Sequence, residues 1–323
     1  MRFFHSKLLQ NSYAVYQHTG TELYVRVPNL AMLSTQQAKN LQPTKTWQRL
    51  VKRVASTTAA TAQTFSIDLP RDHFIHQIII NVYESTADTY DPTKLVAGDL
   101  TNIQLVANGN KYLKDGTADM FLQVMRVNRC KPSNGLYTLF LTDPKINDAQ
   151  PLPSWVFTSL VLNLTDNAPA ASNYHYIDVV VVESAYGNQD LSNWKVLIEK
   201  FLKWMKYGTN TGEQLYEHER AYKVYGYLFV MDDNGTLSAT AFNKLKILGR
   251  KPEGELTVVD VPVNLLVAEN NAEIGVDALA TGYAMLEWAD GFPANEYSSL
   301  YTKPNILTAG TNIGLRVLER YTL

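Results

Sequence analysis

Residues 103–109 read Ile103-Gln104-Leu105-Val106-Ala107-Asn108-Gly109, a short apolar run followed by the dipeptide most typical of a hairpin turn. The stretch Phe65-Ser66-Ile67-Asp68-Leu69 alternates apolar and polar residues and stops at Pro70, which cannot donate a hydrogen bond to a sheet. Runs of this kind recur at short intervals, with turn residues between them. The pattern predicts a chain built mainly from strands.

Further strands are predicted on both sides of this hairpin. The run Ile177-Asp178-Val179-Val180-Val181-Val182 is apolar on both faces near its end, which is typical of a strand buried in a sandwich. The run Asp232-Asp233-Asn234-Gly235 predicts a tight turn. The other predicted strands cover residues 75–83, 136–141, 157–162, 222–231, 237–248, 256–261, 282–288 and 312–321.

Three segments have helical spacing instead. Thr117 is placed to cap a helix that ends near Val127. Apolar residues from Leu191 to Tyr207 form one face, with lysines elsewhere and Gly208 as a C-terminal cap, and this predicts the longest helix. Trp47, Leu50, Val51 and Val54 recur at helical spacing among basic residues, which predicts a short basic amphipathic helix.

These patterns divide the chain into four predicted parts: a basic N-terminal arm (1–60), a first β-rich unit (61–186), a linker helix (187–210) and a second β-rich unit (211–323). The arm holds eight basic residues against one acid, Glu22. Clustered basic residues with interleaved tryptophan and leucine can lie on anionic lipid or contact phosphates. The alternative is a solvated helix packed on its own domain or on a neighbour. The candidate arm residues are Lys45, Trp47, Arg49, Lys52 and Arg53.

Composition places the chain among ordinary globular proteins. It has 323 residues, 46% of them hydrophobic and 19% charged, and its net charge is −2, so nothing indicates an overall affinity for nucleic acid. The single cysteine, Cys130, cannot form an internal disulfide. No stretch approaches the roughly 18 to 20 apolar residues that span a bilayer, and the N-terminus does not resemble a secretory signal. We therefore expect a protein made and kept in a cytosol.

No motif for catalysis, a cofactor or a metal was found. His73 and His76 are three residues apart in a predicted strand, so they should point to opposite faces and not converge on a metal. Asn108-Gly109-Asn110-Lys111 lacks the rest of a phosphate loop, and the Asp232–Gly235 turn lacks the spacing of a calcium loop. Paired carboxylates depend on geometry and not on spacing, so Glu183, Glu287, Asp290 and Glu319 leave that chemistry open. We expect no enzyme, no cofactor and no bound metal.

The layout resembles the double jelly-roll major capsid proteins of the adenovirus and tectivirus lineage. Two β-rich units joined by a helix follow an N-terminal arm, and several segments look similar to the family over residues 61–323. They are Phe65 to Pro70, Gly98-Asp99-Leu100 leading to Gly109, Thr117 to Met120, Pro151 to Trp155, Gly282 to Leu286 and Gly314 to Glu319.

The resemblance implies an all-β chain of two jelly rolls side by side. It also implies a homotrimer with a pseudo-six-fold outline, a trimer that tiles an icosahedral virion shell over an internal membrane, and partners such as penton or minor capsid proteins. By the same resemblance, the basic arm faces that membrane or the neighbouring trimers. The loops are short for the family, which suggests a small member from a virus of a bacterium or archaeon. Trp47, Trp155, Trp194 and Trp204 are candidate interface anchors, although each is more readily explained as core. The alternative function is a carbohydrate-binding or glycoside-processing β-sandwich.

Overall fold

The computed structural model separates into two compact units, residues 1–45 and 46–323. It describes residues 13–18, 21–26, 46–56, 62–85, 100–128, 130, 135–143, 145–146, 149–167, 169, 173–185, 191, 194–201, 204–218, 223–275, 278–308, 310 and 312–322. In the first unit, β1 (Tyr13–His18) and β2 (Thr21–Arg26) form an antiparallel pair. All further elements belong to the second unit.

The first sandwich is built from two sheets whose inner faces share one core. Its strands are β3 (Thr46–Ser56), β4 (Gln63–Asp68), β5 (Phe74–Ser85), β6 (Leu100–Ala107), β7 (Lys111–Thr117), β8 (Leu136–Phe140), β9 (Leu152–Pro153), β10 (Leu160–Asp166) and β11 (Tyr174–Ser184). One sheet has the order β3-β11-β5-β8 with β9 beside β5, and the other contains β7-β6-β10-β4. The chain passes repeatedly between the two sheets, which is the connectivity of a jelly roll.

The second sandwich repeats this order of elements. Its strands are β12 (Leu197–Phe201), β13 (Met205–Lys206), β14 (Gly212–Glu213), β15 (Tyr216–Glu217), β16 (Lys223–Asp233), β17 (Thr236–Leu237), β18 (Phe242–Lys251), β19 (Gly254–Pro262), β20 (Tyr283–Phe292), β21 (Ser299–Ile306) and β22 (Gly314–Thr322). One sheet runs β12-β22-β16 with β20 beside β16, and the other runs β14-β21-β18-β19 with β15 beside β21. The chain therefore contains two jelly rolls, as the sequence predicted.

A single sheet connects the two sandwiches. Strands β7 and β12 lie parallel, with Lys114 opposite Glu199 and Asp115 opposite Lys200. The resulting sheet has ten strands: eight lie in sequence from β4 to β17, and β13 and β20 pair beside β22 and β16. Of the hydrophobic clusters, the three with the most residues are one in each sandwich and a third with residues from both, including Phe140 from the first and Leu228 from the second. The two sandwiches are thus joined by backbone hydrogen bonds and by shared apolar packing.

Each sandwich carries one helix, which directly follows β7 in the first sandwich and β19 in the second. The helix predicted near 117–127 is confirmed as α1 (Ala118–Val127); Thr117 occupies the N-cap position, but its side chain makes no capping hydrogen bond. A second helix, α2 (Val263–Ile274), follows β19 and was not predicted. Only Val263 and Leu266 of α2 are buried, so it lacks the wide apolar stripe that reveals a helix in a sequence.

The helix predicted over residues 191–207 is wrong. Leu197–Phe201 is the strand β12, and Met205–Lys206 is the strand β13. Leu197 and Ile198 are adjacent, yet both are buried, because β12 lies at the junction with both of its faces covered. A strand buried on both faces loses its alternation, and its apolar run then resembles one face of a helix.

The basic amphipathic helix predicted around residues 47–54 is also wrong, because this segment is β3. β3 pairs along its length with β11, and the register shifts at a β-bulge that leaves Val51 as the extra residue. The bulge reverses the alternation, so Val51 and Val54 both pack against the first core although they are three residues apart. This spacing imitates a helix.

Two segments that the sequence assigned to the arm and to the linker are instead strands of the sandwiches. β3 falls within the predicted arm, and β12 falls within the predicted linker. Pairing partners do not by themselves fix where a domain begins or ends. The boundaries at 60, 186 and 210 therefore stay a prediction.

Candidate assembly site

Four of the five candidate arm residues lie on one edge strand. Trp47, Arg49, Lys52 and Arg53 belong to β3, which pairs only with β11 among the described strands. Lys45 lies outside the described residues. The residues are brought together by a strand at the margin of the first sandwich, and not by one face of a helix.

Arg49 binds two carboxylates. Its Nη2 lies 2.7 Å from Oδ1 of Asp72 and 2.6 Å from Oε1 of Glu183, and Glu183 is fully buried on β11. Ligand atoms of Asp72, His73 and Glu183 lie within 4.8 Å of one another, a grouping that could hold a metal ion. In this arrangement the Arg49 guanidinium supplies the positive charge that both carboxylates face.

These contacts change the acidity of the paired groups. Hydrogen bonds from Arg49 are the main reason that the pKa of Asp72 falls to about 2, with a smaller contribution from His73, whose Nδ1 lies 3.0 Å from the carboxylate. The same hydrogen bond with Asp72 raises the pKa of Arg49, although partial burial opposes it. Asp72 and Arg49 therefore both stay charged at neutral pH.

The other basic residues of β3 differ in their surroundings. Arg53 makes a bidentate contact with Asp178 on β11, with its Nε 2.6 Å and its Nη2 2.9 Å from the two carboxylate oxygens. Lys52 is exposed and makes no ion pair with any residue that the structure describes. Trp47 packs edge-on against His73, with the ring centroids 5.0 Å apart. Two of the three cations are thus already paired within their own sheet.

A second cluster of charges lies buried at the junction of the sandwiches. Glu199 on β12 accepts hydrogen bonds from Lys114 on β7 and from Nε of Arg320 on β22, each at 2.9 Å. Arg320 also binds Asp143 and, at 2.8 Å, Glu287. Lys114, Glu199 and Arg320 are completely buried. The network links the first sandwich to the second through side chains as well as through the sheet.

Burial and pairing oppose each other in this network. Burial lowers the pKa of the Lys114 amine, and the Glu199 carboxylate only partly offsets it. Burial alone would raise the pKa of Asp143, but the charge and hydrogen bond of Arg320 outweigh it and the pKa falls. The carboxylates around Arg320 likewise outweigh its burial and raise its pKa. The network therefore holds a permanently charged guanidinium among carboxylates.

Sequence reasoning did not find these partnerships. The sequence marks Glu183, Glu287 and Glu319 only as carboxylates that leave paired-carboxylate chemistry open. In the structure each binds a cation or a histidine: Arg49, Arg320 and His218, respectively. The one available signal was their position, because Glu183 and Glu319 end apolar runs inside strands. A charged residue is almost never fully buried unless it is paired.

The second sandwich contains a buried histidine beside a small cavity. His218 Nδ1 lies 2.7 Å from Oε1 of Glu319, its Nε2 lies 2.7 Å from Oγ1 of Thr302, and its ring stacks on Tyr227 at 4.1 Å. The adjacent cavity, lined by Glu217 and Tyr297 among others, measures about 180 Å³. Ligand pockets usually measure about 300–1,000 Å³. Among the described residues that line this cavity, Glu217 is the one carboxylate, whereas glycoside hydrolysis uses two.

Three of the candidate tryptophan anchors are half-buried and pack against other side chains of this chain. Trp155 meets Phe74 edge-on at 4.5 Å, and Trp194 stacks on the same ring at 5.0 Å. Trp204 lies under the guanidinium of Arg316, 4.2 Å from the ring centroid. These contacts agree with the interpretation of the tryptophans as packing residues, and their role as interface anchors stays a prediction.

These elements define a double jelly roll, a fold that solved viral major capsid proteins also have. Solved structures of such proteins superimpose on 86% of this chain. The major capsid protein of Sulfolobus turreted icosahedral virus matches with a TM-score of 0.66 at 10% identity, over 97% of its own length. That of bacteriophage PM2 matches with a TM-score of 0.59 at 10% identity over 98% of its length, and a chain of the PBCV-1 virus capsid with 0.53 at 9% over 94%.

Sequence comparisons add no relative. No protein-family model matches the chain, and no curated protein matches it. Among the described residues, no helix combines the length and the apolar character needed to cross a membrane.

Proposed function

We propose that this chain is the major capsid protein of an icosahedral virus, and that it works by assembling a shell and not by catalysing a reaction. The observation that carries the proposal is the double jelly roll itself, which the chain shares over most of its length with viral coat proteins. No cofactor or metal is assigned to it. Its place is the virion capsid, after assembly in the cytoplasm of the host.

The assembling unit in this proposal is a homotrimer. Three chains contribute six sandwiches, which gives a pseudo-six-fold outline because the two sandwiches of each chain have the same order of strands. Trimers of this outline tile an icosahedral lattice through contacts between unlike surfaces. Penton and minor capsid proteins complete the shell, and no sequence-specific contact with nucleic acid is involved.

The mass of the purified protein in solution tests this proposal. Light scattering should give three times the 36.3 kDa of the chain, and electron microscopy of the same sample should show a hexagonal outline. A monomer that binds or cleaves a glycan would overturn the proposal in favour of a sugar-binding or glycoside-processing sandwich.

The shell is further proposed to enclose a membrane, which the basic N-terminal segment contacts. Support comes from its charge, since residues 1–45 contain five basic residues and one acid. Flotation with anionic vesicles should carry the protein upward, and vesicles of neutral lipid should not. Replacing Lys39 and Lys45 by glutamine should weaken flotation without changing the mass in solution. Equal flotation with both lipids would contradict a charge-driven contact.

A further inference from the structure

Within residues 46–323, two long strands have one edge that pairs with no other described strand. β3 (11 residues) pairs only with β11, and β19 (9 residues) pairs only with β18. An open edge presents a row of backbone N–H and C=O groups that can pair with another chain. Each strand also carries one exposed leucine, Leu50 at 53% and Leu256 at 51% of full exposure. Both edges are therefore suited to bind a further strand.

The junction inside the chain shows how such edges are joined. It brings β7 of the first sandwich parallel to β12 of the second. β7 is the strand directly before α1, and β19 is the strand directly before α2. β12 opens the second sandwich as β3 opens the first. In the repeated order of strands, β19 of the second sandwich therefore corresponds to β7 of the first, and β3 of the first sandwich corresponds to β12 of the second. β7 and β12 are the pair that joins the sandwiches within one chain.

We infer that β19 of one chain lies alongside β3 of the next chain, so that the junction within the chain is repeated between chains. The inference rests on the proposed trimer, in which three contacts between sandwiches lie within chains and three lie between them. A pseudo-six-fold outline requires these two kinds of contact to have similar geometry. The occupant of both open edges is thus a second copy of this chain.

The charges on the two strands agree with this pairing. β3 carries Arg49, Lys52 and Arg53 and no acid, whereas β19 carries Glu255 and Asp260 and no basic residue. Glu255 and Asp260 bind Lys303 and Lys244 of their own sheet, so what is complementary is the sign of the charges on each strand. The junction within the chain also joins opposite charges, since Lys114 of β7 binds Glu199 of β12. Charges placed in this way favour the correct partner and its orientation.

The pairing of Arg49 and Arg53 also argues for a protein partner over lipid at β3. Both guanidinium groups are bound by carboxylates of their own sandwich, so β3 offers little net attraction to an anionic membrane. Lys52, exposed and without an ion pair among the described residues, is the remaining charge that can meet an acidic strand. A single cation suits one acidic side chain better than a lipid surface.

Hydrogen exchange of the full-length protein tests the inference once light scattering has established the trimer. Backbone amides of β3 and β19 should exchange roughly tenfold or more slowly in the trimer than in the monomer obtained by dilution. β4 is the matched control, since it also has one open edge among the described strands and should not change. Unchanged exchange in β3 and β19 of a trimer overturns the inference alone, whereas the absence of a trimer overturns the proposed function with it.

Variants at the exposed leucines provide a second test. Leu50→Asp puts an acid on the strand that should meet acidic β19, and Leu256→Lys puts a cation on the strand that should meet basic β3. Each should raise the concentration at which half the protein is trimeric by roughly tenfold or more. Leu215→Lys is the control, because Leu215 is 52% exposed and lies between β14 and β15, which both pair with β21 on the side of the sheet opposite β19. Trimers as stable as the wild type in both variants, with circular dichroism unchanged, would overturn the inference.

Discussion

At the scale of single residues, the pair formed by Arg49 and Asp72 gives this protein a defined sensitivity to acid. The pKa of Asp72 is about 2 in the folded chain, below its ordinary value of 3.8. The unfolded chain therefore binds a proton at Asp72 before the folded chain does. The stability that this pair contributes is complete above about pH 4 and is lost as the pH falls from about 4 to about 2.

Replacing Arg49 should restore the ordinary acidity of Asp72. In Arg49→Gln the pKa of Asp72 should rise from about 2 toward 3.8, because its main hydrogen-bond donor and the nearby charge are gone. A pH titration followed by the carboxyl carbon signal in NMR measures this directly. Lys52→Gln is the matched control, since it removes a charge from the same strand that does not bind Asp72. A value that stays near 2 in Arg49→Gln would show that another group depresses it.

The buried charges at the junction should matter far more to stability than exposed ones. Arg320→Ala leaves the carboxylates of Asp143 and Glu199 buried without their guanidinium. Removing one partner of a buried ion pair typically costs about 3–5 kcal/mol of folding free energy. Denaturant unfolding of the variant should show a loss of that size.

The control for this prediction lies in the same network. Glu273 binds Lys145 at 2.9 Å, but its side chain is half exposed. Glu273→Ala should change the free energy of unfolding by about 1 kcal/mol or less, because solvent screens an exposed pair. If Glu273→Ala and Arg320→Ala lose similar amounts of unfolding free energy, burial does not determine how much these ion pairs contribute to stability.

At the scale of elements, a short turn after β20 holds an aromatic ring over β18. Pro293 precedes a single 3₁₀ turn, Ala294–Glu296, and Tyr297 follows it with its ring stacked on Phe292 at 5.3 Å. The first sandwich repeats this device, with Pro153 before Ser154–Val156 and an aromatic residue, Phe157, after it. The repeat is a local sign that the two sandwiches share one plan.

The close approach of Tyr297 to β18 requires a glycine. A Cβ added at Gly249 would overlap the Tyr297 ring. Gly249→Ala should therefore lower the free energy of unfolding by about 1–3 kcal/mol through overpacking. In a Tyr297→Ala background the same substitution should cost much less, because the ring is gone. A double-mutant cycle from denaturant unfolding measures the difference, and an equal cost in both backgrounds would place the strain elsewhere.

The elements that the sequence predicted well are those marked by turn chemistry. Asn108 and Gly109 have φ of 53° and 77°, and the hairpin between β6 and β7 lies where this dipeptide placed it. The elements that it predicted wrongly are β3 and β12, where a bulge and burial on both faces removed the alternation. The strand β21 was missed, and it contains Pro304, which argues against a strand in a sequence.

The candidate site was predictable only in part. The basic residues of β3 could be found because they are neighbours in the sequence. Their partners on β11 could not be found from the sequence, because Asp178 and Glu183 lie more than a hundred residues further along the chain. Contacts of that kind are created when the strands pair, and no local spacing encodes them.

At the scale of the whole molecule, the two sandwiches are held together too extensively to unfold independently. The ten-stranded sheet crosses the junction, and the third hydrophobic cluster combines Phe140 from the first sandwich with Leu228 and Leu318 from the second. Separating the halves would expose this apolar surface and the charges around Glu199 together. Residues 46–323 should therefore behave as one cooperative unit.

A cavity placed in the first sandwich tests this cooperativity. Leu162 is completely buried in the first core, and Leu162→Ala should cost about 2–5 kcal/mol of folding free energy. If the unit is cooperative, amides of β18 in the second sandwich should lose the same protection against hydrogen exchange as amides of β10. The matched variant Leu315→Ala removes a fully buried leucine of the second core. It should likewise lower the protection of β10 and β18 amides by the same amount. If the amides of β18 keep their protection in Leu162→Ala, the two sandwiches open separately. Only a second sandwich that is not coupled to the first could keep its full stability while the first is destabilised.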